Sequence, residues 1–167
     1  MSSKHEYDVV VIGGGAAGLT SSGIAANFGA KTMMVEAKKL GGDCTWTGCV
    51  PSKALLKAGK VAHHIRSAGD YGLVDSTPEI NFRKVIKHVH RIRDEVYEDA
   101  DHPDIFREMG IDVVQGTASF VDDHTVEIIT SSGPVRKISS RYFFICAGAS
   151  AFVPPIPGLE QVDYLTN

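Results

Sequence analysis

Apolar and polar positions alternate between strand-like runs and helical spacing in the first two-thirds of the chain and keep to the spacing of strands in most of the last third. Residues 7–12 (YDVVVI) are almost unbroken in their apolar character, the pattern of a strand covered on both faces. The small residues from 16 to 28 predict a helix that stops at Gly29. A second strand is expected at 32–35, ending in Glu36. Between 52 and 67, Ala54, Leu55, Ala58, Val61, Ala62 and Ile65 recur near helical spacing. Phe82, Val85, Ile86, Val89, Ile92, Val96 and Tyr97 then form the i, i+3, i+4, i+7 stripe of a long amphipathic helix, whose charged face reads as solvated. Pro103 interrupts that helix, and a short helical stretch at 105–109 ends at Gly110.

From Ile111 the period becomes two. Strands are expected at 112–115, 118–121, 125–129 and 135–138, with turns at 122–123 and 131–133, together a β-meander. Residues 142–146 (YFFIC) read as a second buried strand, with Cys146 an inert core thiol. The stretch at 153–158 (VPPIPG) is too rich in proline for a core element and reads as a linker. The expected architecture is α/β: a parallel sheet with helices plus a small antiparallel meander over residues 1–150, followed by a linker at 151–167.

Composition narrows the class. A chain of 167 residues with 43% hydrophobic content supports one domain with a real core. A net charge of -3 gives no electrostatic reason for a nucleic-acid or polybasic membrane partner. No apolar run approaches a bilayer span, and the polar N-terminus enters a strand without a signal-like apolar region. The default expectation is therefore an intracellular, cytoplasmic protein with no membrane partner. Three cysteines are odd in number and too few for a secreted scaffold, so the close pair Cys44 and Cys49 points to redox or metal chemistry. A structural zinc site needs four ligands. His63 and His64 are adjacent on a helix and His88 and His90 only two apart, so no metal site is expected.

Two motifs carry chemistry. Gly13, Gly15 and Gly18 fit G-x-G-x-x-G between a strand and a helix. The first allows a tight turn, the second lets backbone approach a pyrophosphate, and the third lets helix pack on strand. Glu36 follows at about the 20-residue offset where an acid accepts a ribose hydroxyl, so dinucleotide binding is expected. The second motif is residues 40–56, LGGDCTWTGCVPSKALL. Pro51 suits the first turn of a helix and sets Cys49 beside that helix's N-terminus. An exposed helix end contributes about 0.3–1 kcal/mol, whereas one pKa unit is about 1.36 kcal/mol. The dipole alone does not make a strongly activated thiolate, and another group should sit against Cys49.

A nucleotide-binding fingerprint followed after one βαβ unit by GGDCTWTGCVPSK resembles the FAD-dependent pyridine nucleotide-disulfide oxidoreductases, and within them the branch with dihydrolipoamide dehydrogenase and mercuric reductase. Ser52 and Lys53 carry the choice of branch. The resemblance covers essentially the whole chain and implies a Rossmann-like FAD-binding domain, incomplete at its C-terminus. It implies that Gly13, Gly15 and Gly18 cradle the FAD pyrophosphate and that Glu36 holds the ribose. Gly42 and Asp43 would lie along the cofactor, Gly116 and Ala118 near the adenine, and Ala147 and Gly148 on the flavin side. Cys44 and Cys49 would be the redox disulfide. Cys49 would face the flavin, Cys44 would exchange with substrate, and Lys53 would stabilise charge near the flavin.

By the same resemblance, electrons come from NAD(P)H, and the substrate is a small-molecule disulfide, a dihydrolipoyl group or mercuric ion. NAD and NADP both stay open. The nicotinamide domain, a second FAD segment and the C-terminal domain through which the family forms homodimers are not among these residues, so the chain alone is expected to be incapable of NAD(P)H-linked turnover. A non-catalytic flavin- or nucleotide-binding module and a thiol redox switch stand as alternatives. Asp43 and Trp46 depart from the threonine and asparagine common in the family, and Trp46 is expected to shape access to Cys44.

Overall fold

The structure, a computed structural model, describes residues 5–130, 133 and 135–166. Six strands are ordered β3-β2-β1-β6-β5-β4. β1 (Tyr7–Ile12), β2 (Thr32–Glu36), β3 (Asp112–Gln115) and the second half of β6 (Arg136–Ile145) run parallel. β4 (Thr117–Asp122), β5 (Thr125–Ile129) and the first half of β6 are antiparallel. Alternate residues of the central strands feed two cores, which is why their sequences read as unbroken apolar runs. Tyr7, Val10, Met33 and Val35 pack with Val126, Ile128 and Ile138 of the antiparallel strands. Val9, Val11 and Met34 pack on the opposite face with Leu40, Tyr97, Phe106 and Ile111.

The helices are α1 (Ala16–Asn27), α2 (Gly42–Trp46), α3 (Cys49–Arg66), α4 (Phe82–Val96) and α5 (Pro103–Glu108). α1 buries Gly18, Ser22 and Gly23, small residues that let it lie close to the sheet. α4 is capped by Asn81, whose side chain accepts from the Lys84 amide. It continues into a π-turn, Tyr97–Asp101, before Pro103 opens α5 at its first position. α3 and α4 pack on each other as a hairpin that leaves Leu55, Leu56, Val61 and Phe82 exposed.

Three expectations change. The strand at 112–115 belongs to the parallel sheet beside β2, not to the meander. The stretches at 135–138 and 142–146 are one ten-residue strand. Its polar middle is a change of partner: Ser139 pairs with Thr125 of β5, and Ser140 pairs with Tyr7 of β1. Buried Ser140 supports that bend by donating its hydroxyl to the Tyr142 carbonyl at 2.8 Å. The half of β6 expected to be buried is largely exposed, since β5 leaves its edge at Ser139 and no described strand replaces it. The turn expected at 131–133 includes residues 131 and 132, which lie outside the described ones, as do both chain ends of the expected domain and linker spans. In the linker span a single short helical turn, Leu159–Gln161, is present among the described residues.

Candidate functional site

The site forms at the carboxyl ends of β1, β2 and β6. Gly13 leaves β1 with φ +106°, and a Cβ there would lie 2.1 Å from the Cys146 carbonyl oxygen, so the turn admits only glycine. A Cβ on Gly18 would meet the Gly13 carbonyl at 1.7 Å, which seats the first turn of α1 directly on the loop. Among the described residues no side chain caps α1 and no acid occupies its first turn, so its first amides stay open to an anion. The Glu36 carboxylate is held from both sides: Oε2 accepts from the Gly14 amide at 2.6 Å and Oε1 from the Lys38 amide at 2.7 Å. Gly116 joins the same corner by donating its amide to the Glu36 carbonyl at 2.9 Å.

The dithiol segment is built onto this loop. The Gly41 amide donates to the Gly14 carbonyl at 2.9 Å, and Gly41 forms a β-bridge with Gly15. A Cβ on Gly42 would lie 2.7 Å from the Gly15 Cα, so the two backbones touch with no side chain between them. α2 starts there and closes after one turn, because the Thr47 and Gly48 amides both donate to the Asp43 carbonyl, at 3.0 and 2.5 Å. α3 then opens at Cys49, with Pro51 inside its first turn. Cys44 and Cys49 thus sit on successive helices as free thiols. Hydrogen bonding with Cys49 is the largest cause that raises the Cys44 thiol above its ordinary range. Desolvation, the Cys49 charge and the Asp101 carboxylate act in the same direction, and the Lys53 ammonium opposes them. Cys44 is half-buried and Cys49 exposed.

Gly13, Gly15, Gly18, Glu36, Gly42, Asp43, Cys44, Cys49 and Lys53 are therefore brought together through the Gly15–Gly41 bridge. Ala147 and Gly148 follow β6 beside Gly13, whose added Cβ would lie 3.1 Å from the Ala147 amide nitrogen. Ala118 is placed differently: it pairs with Ile128 in the meander and packs on the core there. The Asp43 side chain takes a hydrogen bond from the Thr47 hydroxyl at 3.3 Å, within its own motif. Trp46 is turned towards the scaffold. Its indole N–H donates to the Leu40 carbonyl at 2.8 Å, its ring lies 5.2 Å from Tyr97, and the Lys39 ammonium sits 3.9 Å from its centroid. These contacts pack α2 against the start of its own motif and the π-turn after α4.

Sequence reasoning passed over Thr45 and Asp101. The buried Thr45 hydroxyl donates to Asp101 Oδ2 at 2.5 Å, across 56 residues of chain. A polar side chain inside the dithiol motif was the available signal for Thr45; for Asp101 no local pattern marks it. Among the described residues no group of three or more His, Cys, Asp or Glu side chains is arranged to hold a metal ion, and no helix is long and apolar enough to cross a membrane.

Comparison with known proteins adds the following. A family model described as pyridine nucleotide-disulphide oxidoreductase matches residues 7–167. A mercuric reductase of Lysinibacillus sphaericus is 37% identical over 165 residues, covering 99% of this chain and 29% of that protein. A mercuric reductase of Staphylococcus aureus is 37% identical over 166 residues, covering 97% and 28%. A glutathione reductase of Yarrowia lipolytica is 33% identical over 173 residues, covering 96% and 36%. The chain thus spans between 28% and 36% of the length of these relatives.

Proposed function

The chain belongs to the pyridine nucleotide-disulphide oxidoreductase family, and from that premise we propose that it forms the FAD-binding and dithiol portion of a flavoprotein oxidoreductase. With FAD held on the glycine loop and NAD(P)H as reductant, Cys49 would receive the electrons and Cys44 would pass them to a small disulfide, a dihydrolipoyl-type group or a thiol-reactive ion such as mercuric ion. The observation that carries the reading is the contact of the two motifs: Gly41 and Gly42, which start the Cys44 helix, lie on Gly14 and Gly15 of the glycine loop. A dinucleotide on that loop therefore has the thiols beside it. The homodimeric state of the family and an intracellular location are part of the same proposal.

The residues fit the group. Gly13, Gly15 and Gly18 leave backbone alone at the start of α1, whose uncapped N-terminus suits a pyrophosphate. Each Glu36 oxygen accepts one amide and retains a lone pair for a ribose hydroxyl. When bound, FAD supplies two-electron chemistry between a nicotinamide and a protein disulfide. The chain's own part is thiol exchange. The Cys44 thiolate attacks one sulfur of a substrate disulfide, forming a mixed disulfide and releasing the first thiol product. Cys49 then attacks the Cys44 sulfur, which closes the Cys44–Cys49 bond and releases the second. Lys53 favours the thiolate form of Cys44 and opposes Asp101.

The test combines flavin binding with thiol counting. FAD fluorescence should be quenched on titration with the protein, and Gly15→Val should abolish that quenching. Mild oxidation should remove the Cys44 and Cys49 thiols together, and Cys44→Ser should keep flavin binding while leaving Cys49 free. Absence of flavin binding in the parent, or independent oxidation of the two thiols, would overturn the proposal.

A further inference from the structure

The residue after Cys44 is tied to a distant acid. Thr45 is buried, and its hydroxyl donates to Asp101 Oδ2 at 2.5 Å. The same carboxylate oxygen lies 2.9 Å from where a Cβ on Gly41 would stand, so the acid rests against the residue that begins α2. One residue further, Trp46 packs on Tyr97. Two successive side chains of α2 thus hold the two ends of a single π-turn, Tyr97–Asp101. The wider π-turn accommodates an extra residue relative to an α-turn, a feature frequent near functional sites. Lys39 locks the aromatic side of this joint, its ammonium 3.8 Å from the Tyr97 ring and 3.9 Å from the Trp46 ring.

We propose that Asp101, held by Thr45, is a positioning residue for Cys44: it seats the Cys44 helix on the glycine loop and sets a negative charge against that helix. The groups around Cys44 come from two elements. α3 presents Cys49 and Lys53, and the π-turn presents Asp101. Asp43, on α2 itself, is engaged with Thr47. The hydrogen bond with Cys49 and burial raise the Cys44 thiol first, and the Asp101 carboxylate adds to them in the same direction. The role rests on Cys44 being the thiol that exchanges with substrate.

The experiment needs no flavin, so its outcome is separate from that of the FAD reading. The reduced full chain is alkylated with iodoacetamide between pH 6 and 10, and labelling at Cys44 and Cys49 is quantified by peptide mass. Asp101→Asn keeps an acceptor for Thr45 and removes the charge; it should speed Cys44 alkylation at pH 7 about fivefold and move its profile to lower pH, with Cys49 within about twofold of the parent. Thr45→Val should slow diamide-driven closure of the Cys44–Cys49 disulfide about fivefold by releasing α2, and Thr45→Ser should restore the parent rate to within about twofold. An unmoved Cys44 profile in Asp101→Asn would overturn the electrostatic role. Closure at the parent rate in folded Thr45→Val would overturn the tether. If Thr45→Val does not fold, the same closure assay on Asp101→Ala decides the tether, with the parent rate overturning it.

Discussion

β1 and the second half of β6 are neighbours in one parallel sheet, and both are made of apolar residues. β1 is paired on both edges and contributes to both cores, and Val10 and Val11 are completely buried. β6 is paired on one edge beyond Ser139, and Tyr142, Phe144 and Ile145 remain 54%, 41% and 70% exposed. Burial is a property of the neighbours on each side, and the apolar run of β6 states only that its chemistry suits a covered position. The same contrast divides the site. The glycine loop after β1 is clamped between α1, Glu36 and the dithiol segment, whereas the exit of β6 at Gly148 opens into free space.

The contrast is broken most directly where the two strands meet. Gly13→Ala places a methyl 2.1 Å from the Cys146 carbonyl in a backbone of positive φ, and it should cost about 4 kcal/mol in denaturant unfolding. A loss under about 1 kcal/mol would show that the exit of β6 yields and that the seam is not rigid. On the covered side, Met34→Ala in β2 removes a fully buried side chain and should cost about 3 kcal/mol, read as a lower denaturation midpoint with unchanged slope.

A smaller effect sharpens the contrast through pH. The Tyr7 hydroxyl on β1 donates to Asp112 Oδ2 at 2.5 Å, and burial, with that carboxylate behind it, pushes the phenol well above its usual range. The folded state therefore keeps its proton above pH ~10, where the unfolded state loses it. The contribution is fully present below pH ~10 and falls as pH rises through the folded value. Tyr7→Phe should remove this alkaline slope and cost about 1 kcal/mol at neutral pH; a slope equal to the parent's would assign it to other groups. The smallest effect belongs to the open side, where Ile145→Thr should change stability by less than about 0.5 kcal/mol. A loss comparable with Met34→Ala would mean that this surface is covered in solution.

Local patterns made much of the fold legible. The run YDVVVI, the small residues of α1 and the glycines at 13, 15 and 18 each state a local requirement, and β1 and the βαβ unit follow from them. The two thiols are equally visible, since Cys44 and Cys49 are close in sequence. The serines in the middle of β6 divided it into two expected strands because a polar break interrupts the apolar pattern, whereas here Ser140 lies at a change of partner. The packing of Trp46 on Tyr97 was not legible, because its place between the cysteines says nothing about which face of a short helix it occupies.

The chain's residues alone determined that a glycine loop, an acid and a dithiol are present, because each depends on backbone freedom or side-chain chemistry within a few positions. Only the tertiary structure decided that Gly15 lies on Gly41 and Gly42, that Thr45 reaches Asp101, and that half of β6 stands open. Those facts depend on which distant segments the folded backbone brings within a few ångströms, a consequence of packing that no local pattern carries.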